Sequence, residues 1–210
     1  MENGKLSETL YCKVFFINHQ NMDSSELECI IYKNARLISK YGGKIYSYDN
    51  LPNRLIENKF YIVNDKSSKS DFSIPGHWIT LLYYGDHHTT PNTPNTPNTP
   101  NTPSTSFLAY IDSFGLPLEP QFIQPLLQRV QCPILYMNYP LQNINTTSCG
   151  LHSLTFCSFF SYDWSVLEIL ENYYDIYNPK SKLDPYFFDR KAQSFILKFF
   201  HEKRSIFYEP

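Results

Sequence analysis

A chain of 210 residues, 42% hydrophobic and 17% aromatic, carries enough apolar side chain for one well-buried domain and is short for two. Its formal charge of −2 and pI near 6.3 provide no electrostatic footprint for nucleic acid or acidic membranes. The cysteines, Cys12, Cys29, Cys132, Cys149 and Cys157, are scattered and form no CxxC pair, which speaks against a disulfide framework or a zinc site.

The opening stretch has only a short apolar run, unlike a signal peptide, and no later run approaches a membrane span. A soluble protein of a reducing compartment is therefore expected, and Asn145-Thr146-Thr147 is read as a chance glycosylation pattern. "SSELECIIYKNARLISKYGG" predicts an amphipathic helix with Ser25 and Glu28 as a capping box and Gly42-Gly43 as the stop. "KFYIVND", "HWITLLYYG", "FLAYIDS" and "PILYMNY" read as strands, and their nearly continuous apolar character predicts cover on both faces. Between the second and third, proline recurs every third residue from Pro91 to Pro103, which forbids helix or ladder. Residues 89–106 are expected to be a dispensable Thr/Pro/Asn loop at a hairpin tip within a single domain spanning 1–210.

Helices follow. "CGLHSLTFCSFFSY" comes after Thr147 and Ser148, both cap residues by type, and "DWSVLEILENYYDIY" has Asp163 at its start. In the last helix Asp184 caps, Pro185 opens the first turn, and Phe188, Ala192, Phe195, Ile196, Phe199 and Phe200 form the stripe. Helix, grouped strands, then helices predict an α+β domain.

Cys149 enters its helix at the N-terminus, where the helix dipole favours a thiolate, and Gly150 permits close approach of a substrate. By itself a cysteine entering an apolar helix is more often core, and Cys157 is read as core. Among the histidines, His77 opens an apolar strand, where its imidazole can emerge at the sheet edge. His87 and His88 fall in the repeat, His19 near the start and His201 in the tail. His152 shares the cysteine's helix face but sits too deep to take its proton. Asp112 ends the neighbouring strand, next to His77 if the two pair as a hairpin, and is placed to orient the imidazole. Gln142, on the loop entering the cysteine helix, can converge with the Cys149 backbone N–H on a developing oxyanion.

The order His-Trp, Asp-Ser-Phe-Gly, Gln, Ser-Cys-Gly resembles the adenovirus-type (adenain-like) cysteine proteases, especially the relatives carried by Polinton-like elements and related viruses. The similarity extends through "LECIIYKNARLISKYGGKIYSYDNLP", "FYIVNDKSSKSDFSIPGHWITL" and "PYFFDRKAQSFILKFF", covering most of residues 24 to 203. It implies a mixed central sheet packed between helices, with a papain-like site in permuted order: His77 as base, Asp112 as its orienter, Gln142 in the oxyanion hole and Cys149 as nucleophile. Trp78 is similar to the family's tryptophan beside the base, although packing the strand on the core is an equally good reading. The resemblance also implies capsid-precursor substrates of a virus or transposon, cut after glycine-type motifs, and a location in the host nucleus or virion.

Some family members are stimulated by DNA and by a peptide disulfide-bonded to an upstream cysteine. Cys132 occupies a similar neighbourhood, yet a free thiol is the expected state, no cofactor is required, and the acidic balance does not favour DNA. The proline repeat is a departure from the family pattern and leaves the site intact only if it loops out. A SUMO- or ubiquitin-like isopeptidase is the nearest rival, but such enzymes usually carry Asp before the nucleophile, where this chain has Ser148. A non-catalytic virion protein on the same fold is the other, although such a relative is expected to lose one of the four residues. A monomer is the neutral expectation.

Overall fold

The computed structural model describes residues 22–70, 76–85, 106–118 and 120–204, with backbone alone at 123, 181 and 197–204. Most of the expected repeat loop, Cys12, His19, His87 and His88 lie outside the described residues, as do the side chains of Phe199, Phe200 and His201. In chain order the elements are α1 (Ser24–Tyr32), α2 (Ala35–Lys40), β1 (Tyr46–Ser47), β2 (Lys59–Asn64), β3 (Trp78–Tyr84), β4 (Phe107–Asp112), α3 (Pro120–Arg129), β5 (Ile134–Tyr136), α4 (Cys149–Ser161), α5 (Val166–Glu168), a π-helical turn (Ile169–Tyr174), α6 (Pro179–Leu183) and α7 (Phe187–Arg204). The fold is α+β. Its five-stranded mixed sheet runs in the order β1-β2-β3-β4-β5, antiparallel through β2, β3 and β4 and parallel at both margins.

Alternation along the central strands divides the core in two. Phe60, Ile62, Trp78, Leu82, Tyr84, Ala109 and Ile111 face one cluster, which they share with α1, α2, α4 and α7. Tyr61, Val63, Ile79, Leu81, Tyr83, Leu108 and Tyr110 face the other, closed by Leu51, Leu55 and α3 through Phe122 and Leu126. All seven residues of β3 are buried, so the apolar run reflects helices or loops on both faces.

Several local expectations change. The first helical segment is two helices, because Asn34 accepts from the N–H groups of Arg36 and Leu37 and restarts the helix. The capping box of α1 is Asp23 with Glu26, not Ser25 with Glu28; Glu28 instead accepts from the Tyr41 hydroxyl and the Ile45 N–H. Asp163 does not cap α5: it lies at φ 64°, and Ser165 with Glu168 forms the box. Asp184 accepts from Tyr186 N in a turn ahead of α7. β5 ends at Tyr136, and β1 and α3 are elements that the strand and helix patterns leave unmarked. Cys132, Cys149 and Cys157 are free thiols. Cys29 is disulfide-bonded.

α4 is the structural centre: every one of its 13 residues is buried. It packs on β3, β2, α2 and α7, with Leu154, Cys157 and Phe160 fully enclosed. Each large apolar side chain buried this way contributes about 1.5–3 kcal/mol, so the helix is held by tertiary packing rather than helix propensity. No helix among the described residues is long and apolar enough to cross a membrane.

Tyr84 and Phe107 are register partners, so β3 and β4 are already paired at the mouth of the repeat connection. Replacing residues 86–105 with a two-residue Asn-Gly turn is expected to leave the melting temperature unchanged or raised, since each halving of loop length contributes about 0.6 kcal/mol. A fall of more than about 5 °C in a cooperative melt would show that those residues help hold the fold.

Candidate active site

The β3–β4 register sets Ile79 opposite Asp112. His77 immediately precedes β3 and is itself fixed: its N–H donates to Asp65 Oδ1 at 2.8 Å, and its carbonyl accepts from Asp65 N at 3.0 Å. The side chains of His77 and Asp112 therefore meet at the end of the sheet, with Nε2 and Oδ1 2.9 Å apart. The same Asp112 oxygen accepts from Phe114 N at 2.7 Å. The Phe114 ring stacks on the imidazole at a centroid distance of 4.7 Å. A carboxylate only accepts, so Nε2 carries a hydrogen and the ring orientation is set from the edge and from the face.

Cys149 is the second partner of His77. With Nε2 engaged by Asp112, Nδ1 is the ring atom left for the thiol. Burial opposes a charged imidazole here, but the hydrogen bonds and charges of Asp112 and Cys149 outweigh it and raise the His77 pKa to about 10. Cys149 is the first residue of α4, and Ser148 before it makes no side-chain cap, which leaves the first-turn N–H groups free of any side-chain cap.

Gln142 is buried on the loop that leads to α4. Its Oε1 accepts from Ser113 Oγ at 2.6 Å, and its Nε2 donates to the Thr146 carbonyl at 2.8 Å. One amide hydrogen is thus committed within the loop, which sets the direction of the other. The Ser113 carbonyl accepts from Leu141 N and Gln142 N, both at 2.8 Å, and joins this loop to the end of β4. The residue beside Asp112 thereby fixes Gln142.

Trp78 and Gly150 are adjacent to the same point. Trp78 Nε1 donates to the Met22 carbonyl at 2.7 Å. A Cβ on Gly150 would meet Met22 Cβ at 2.9 Å and Trp78 Cδ1 at 3.4 Å, so only glycine fits without displacement. Trp78 also lies in the core cluster, so it both packs β3 and borders Gly150, the residue after Cys149. Cys132 packs on the cluster across the sheet from Cys149, and burial pushes its thiol pKa up, which reduces its readiness for disulfide exchange.

His152 is fully buried and turned away from this chemistry. Its Nε2 meets Asp189 Oδ1 at 3.3 Å, and its Nδ1 meets the Tyr174 hydroxyl at 3.3 Å. Four residues at or behind the site carried no sequence signal of that role: Phe114, Ser113, Met22 and Asp189. The motif Asp-Ser-Phe-Gly held two of them, but stacking and hydrogen bonding are not legible from residue type. Among the described residues no group of three or more His, Cys, Asp or Glu gathers in a way that could hold a metal ion.

No protein-family model matches the chain, and no curated protein matches it. Among solved structures it is similar to the selenomethionine crystal structure of the ASFV pS273R protease, with a TM-score of 0.38 and 15% sequence identity. The match covers 66% of this chain and 43% of that one, so the chain spans less than half of that neighbour's length.

The electrostatics of the pair can be read directly by NMR titration of the His77 ring. It is expected to titrate near 10 in the wild type, and Asp112→Asn is expected to move it down toward the ordinary 6.5, because the substitution removes the anion that favours the imidazolium. An unmoved midpoint in the variant would show that Asp112 does not govern the imidazole.

Proposed function

We propose that this protein is a cysteine endopeptidase with Cys149 as its nucleophile. One arrangement carries the reading: His77 stands between a buried carboxylate 2.9 Å away and the thiol of Cys149. A neutral core cysteine has no need of an oriented imidazole, whereas a nucleophile needs a base and the base needs an orienter.

Cys149 Sγ attacks the scissile carbonyl carbon, its proton held on His77 Nδ1. The carbonyl oxygen becomes an oxyanion, which takes hydrogen bonds from the Cys149 N–H at the start of α4 and from the Gln142 amide. As the C–N bond breaks, the imidazolium passes its proton to the departing amine. Asp112, on Nε2, stabilises that imidazolium and holds its tautomer. Water then gives a proton to His77 as its oxygen attacks the thioester carbon, and breaking of the C–S bond releases the acid and restores the thiolate beside the imidazolium.

The finer reading follows the resemblance of the motifs to adenovirus-type proteases. The substrates are capsid precursors of a virus or transposon, cut after glycine-type motifs, by a monomer acting in the host nucleus or virion. Trp78 and Met22 pack tightly over Gly150, the residue after the nucleophile, and on this reading they form one wall of a narrow cleft that suits small residues at the cut.

The test is a glycine-containing peptide library, run beside tagged ubiquitin-like and SUMO-like precursors. Wild type is expected to cleave the peptides and Cys149→Ala to lose all cleavage, while Gln142→Ala lowers kcat about 100- to 1,000-fold. Equal cleavage by wild type and Cys149→Ala removes the assignment, and release of a modifier tag alone replaces the endopeptidase with an isopeptidase.

A further inference from the structure

Ser148 stands at the N-cap of α4, where a serine hydroxyl ordinarily accepts from the second or third helical N–H. It does not do so here. Its ψ of 9° is not the extended value of a capping residue, and no side-chain cap bond forms. The hydroxyl goes instead to Asp189 Oδ1, from the first turn of α7. The same oxygen meets Thr146 Oγ1 at 3.1 Å and His152 Nε2 at 3.3 Å, and Oδ2 accepts from Asn143 N at 2.9 Å.

One buried carboxylate therefore gathers three donors, Asn143 N, Ser148 Oγ and His152 Nε2, from the segment 143–152, which holds Cys149 and directly follows Gln142. Burial works against the Asp189 anion, but hydrogen bonds from His152, Ser148 and Asn143 outweigh it and keep its pKa below the usual value. An anion left buried without these donors would be costly, so the carboxylate and the loop hold each other in place. His152 is part of the brace: its Nε2–H faces the acceptor-only carboxylate, and Tyr174, delivered by the π-helical turn, meets its other nitrogen.

We propose that Asp189 is a positioning residue that holds Cys149 and the oxyanion donors in register, acting through Ser148, Thr146, Asn143 and His152. By holding Ser148 it fixes the residue whose peptide bond carries the Cys149 N–H, and by engaging the Asn143 N–H it holds the loop that follows Gln142. The inference rests on the protease reading for its catalytic meaning, but the geometry it describes has its own readout.

Two variants test it, Asp189→Asn and Ser148→Ala, each measured for melting temperature, kcat, KM and the rate at which iodoacetamide alkylates Cys149, followed by mass spectrometry of that peptide. Both are expected to melt cooperatively, with kcat lowered at least about tenfold, KM changed by less than about threefold, and alkylation slowed. A role confined to stability would lower the melting temperature and leave kcat of the folded enzyme alone. If folded variants keep kcat and alkylation within about twofold of wild type, the proposal is overturned. If Asp189→Asn does not fold, Ser148→Ala decides by the same criteria. If wild type cleaves no peptide, the protease reading fails by itself and alkylation decides alone: slowing in the variants supports the positioning role, and wild-type rates overturn it.

Discussion

The antiparallel register of β3 and β4 is the constraint on which the site depends. Asp112 reaches His77 only because Ile79 lies opposite it. A slip of one residue would turn every side chain of a strand to the other face. It would exchange Trp78, Leu82 and Tyr84 with Ile79, Leu81 and Tyr83 between two differently shaped cores. At about 1.5–3 kcal/mol for each large apolar side chain, the mismatch far exceeds any polar contact at the sheet end. The distance between base and acid is therefore set by apolar residues that touch neither of them.

The sulfur arrives by a separate route. Its position follows from α4, which is pressed on β3 along one side and against α2 and α7 along others. Only at the start of α4 do polar groups dominate, and there Ser113, Gln142, Thr146, Ser148 and Asp189 form a chain of hydrogen bonds from the end of β4 to the start of α7. Sheet and helix thus deliver their parts independently, and the polar chain registers one against the other. Such a buried network is rigid when every member is satisfied, as these are.

Much of this was legible beforehand. The three long strands announced themselves through β-branched and aromatic runs, and their lack of polar alternation correctly implied cover on both faces. His77, Asp112 and Cys149 could be singled out because each stands at an element end, where a backbone stops and a side chain is left free to act. The rest was hidden for physical reasons. α3 carries Pro125 within it, which interrupts the usual helical pattern. The caps moved because Asp, Ser and Asn are nearly equivalent by type, and tertiary contacts choose among them: Glu28 is drawn to Tyr41, and Ser148 to Asp189. Asp189 itself looked like one acidic residue in an amphipathic helix, and only the packing of α7 on α4 and the loop before it gives it three donors.

A helix with no surface of its own has a further consequence. Because α4 is enclosed along its whole length, it cannot fray or detach while the remainder of the molecule stays intact. Beyond its uncapped first turn, its amide hydrogens are expected in the slowest class, exchanging with solvent only in the rare excursions that dissolve the entire core. Reactivity at the sulfur is then tied to global integrity, and a partly damaged molecule with a wandering nucleophile is a species this architecture does not readily populate.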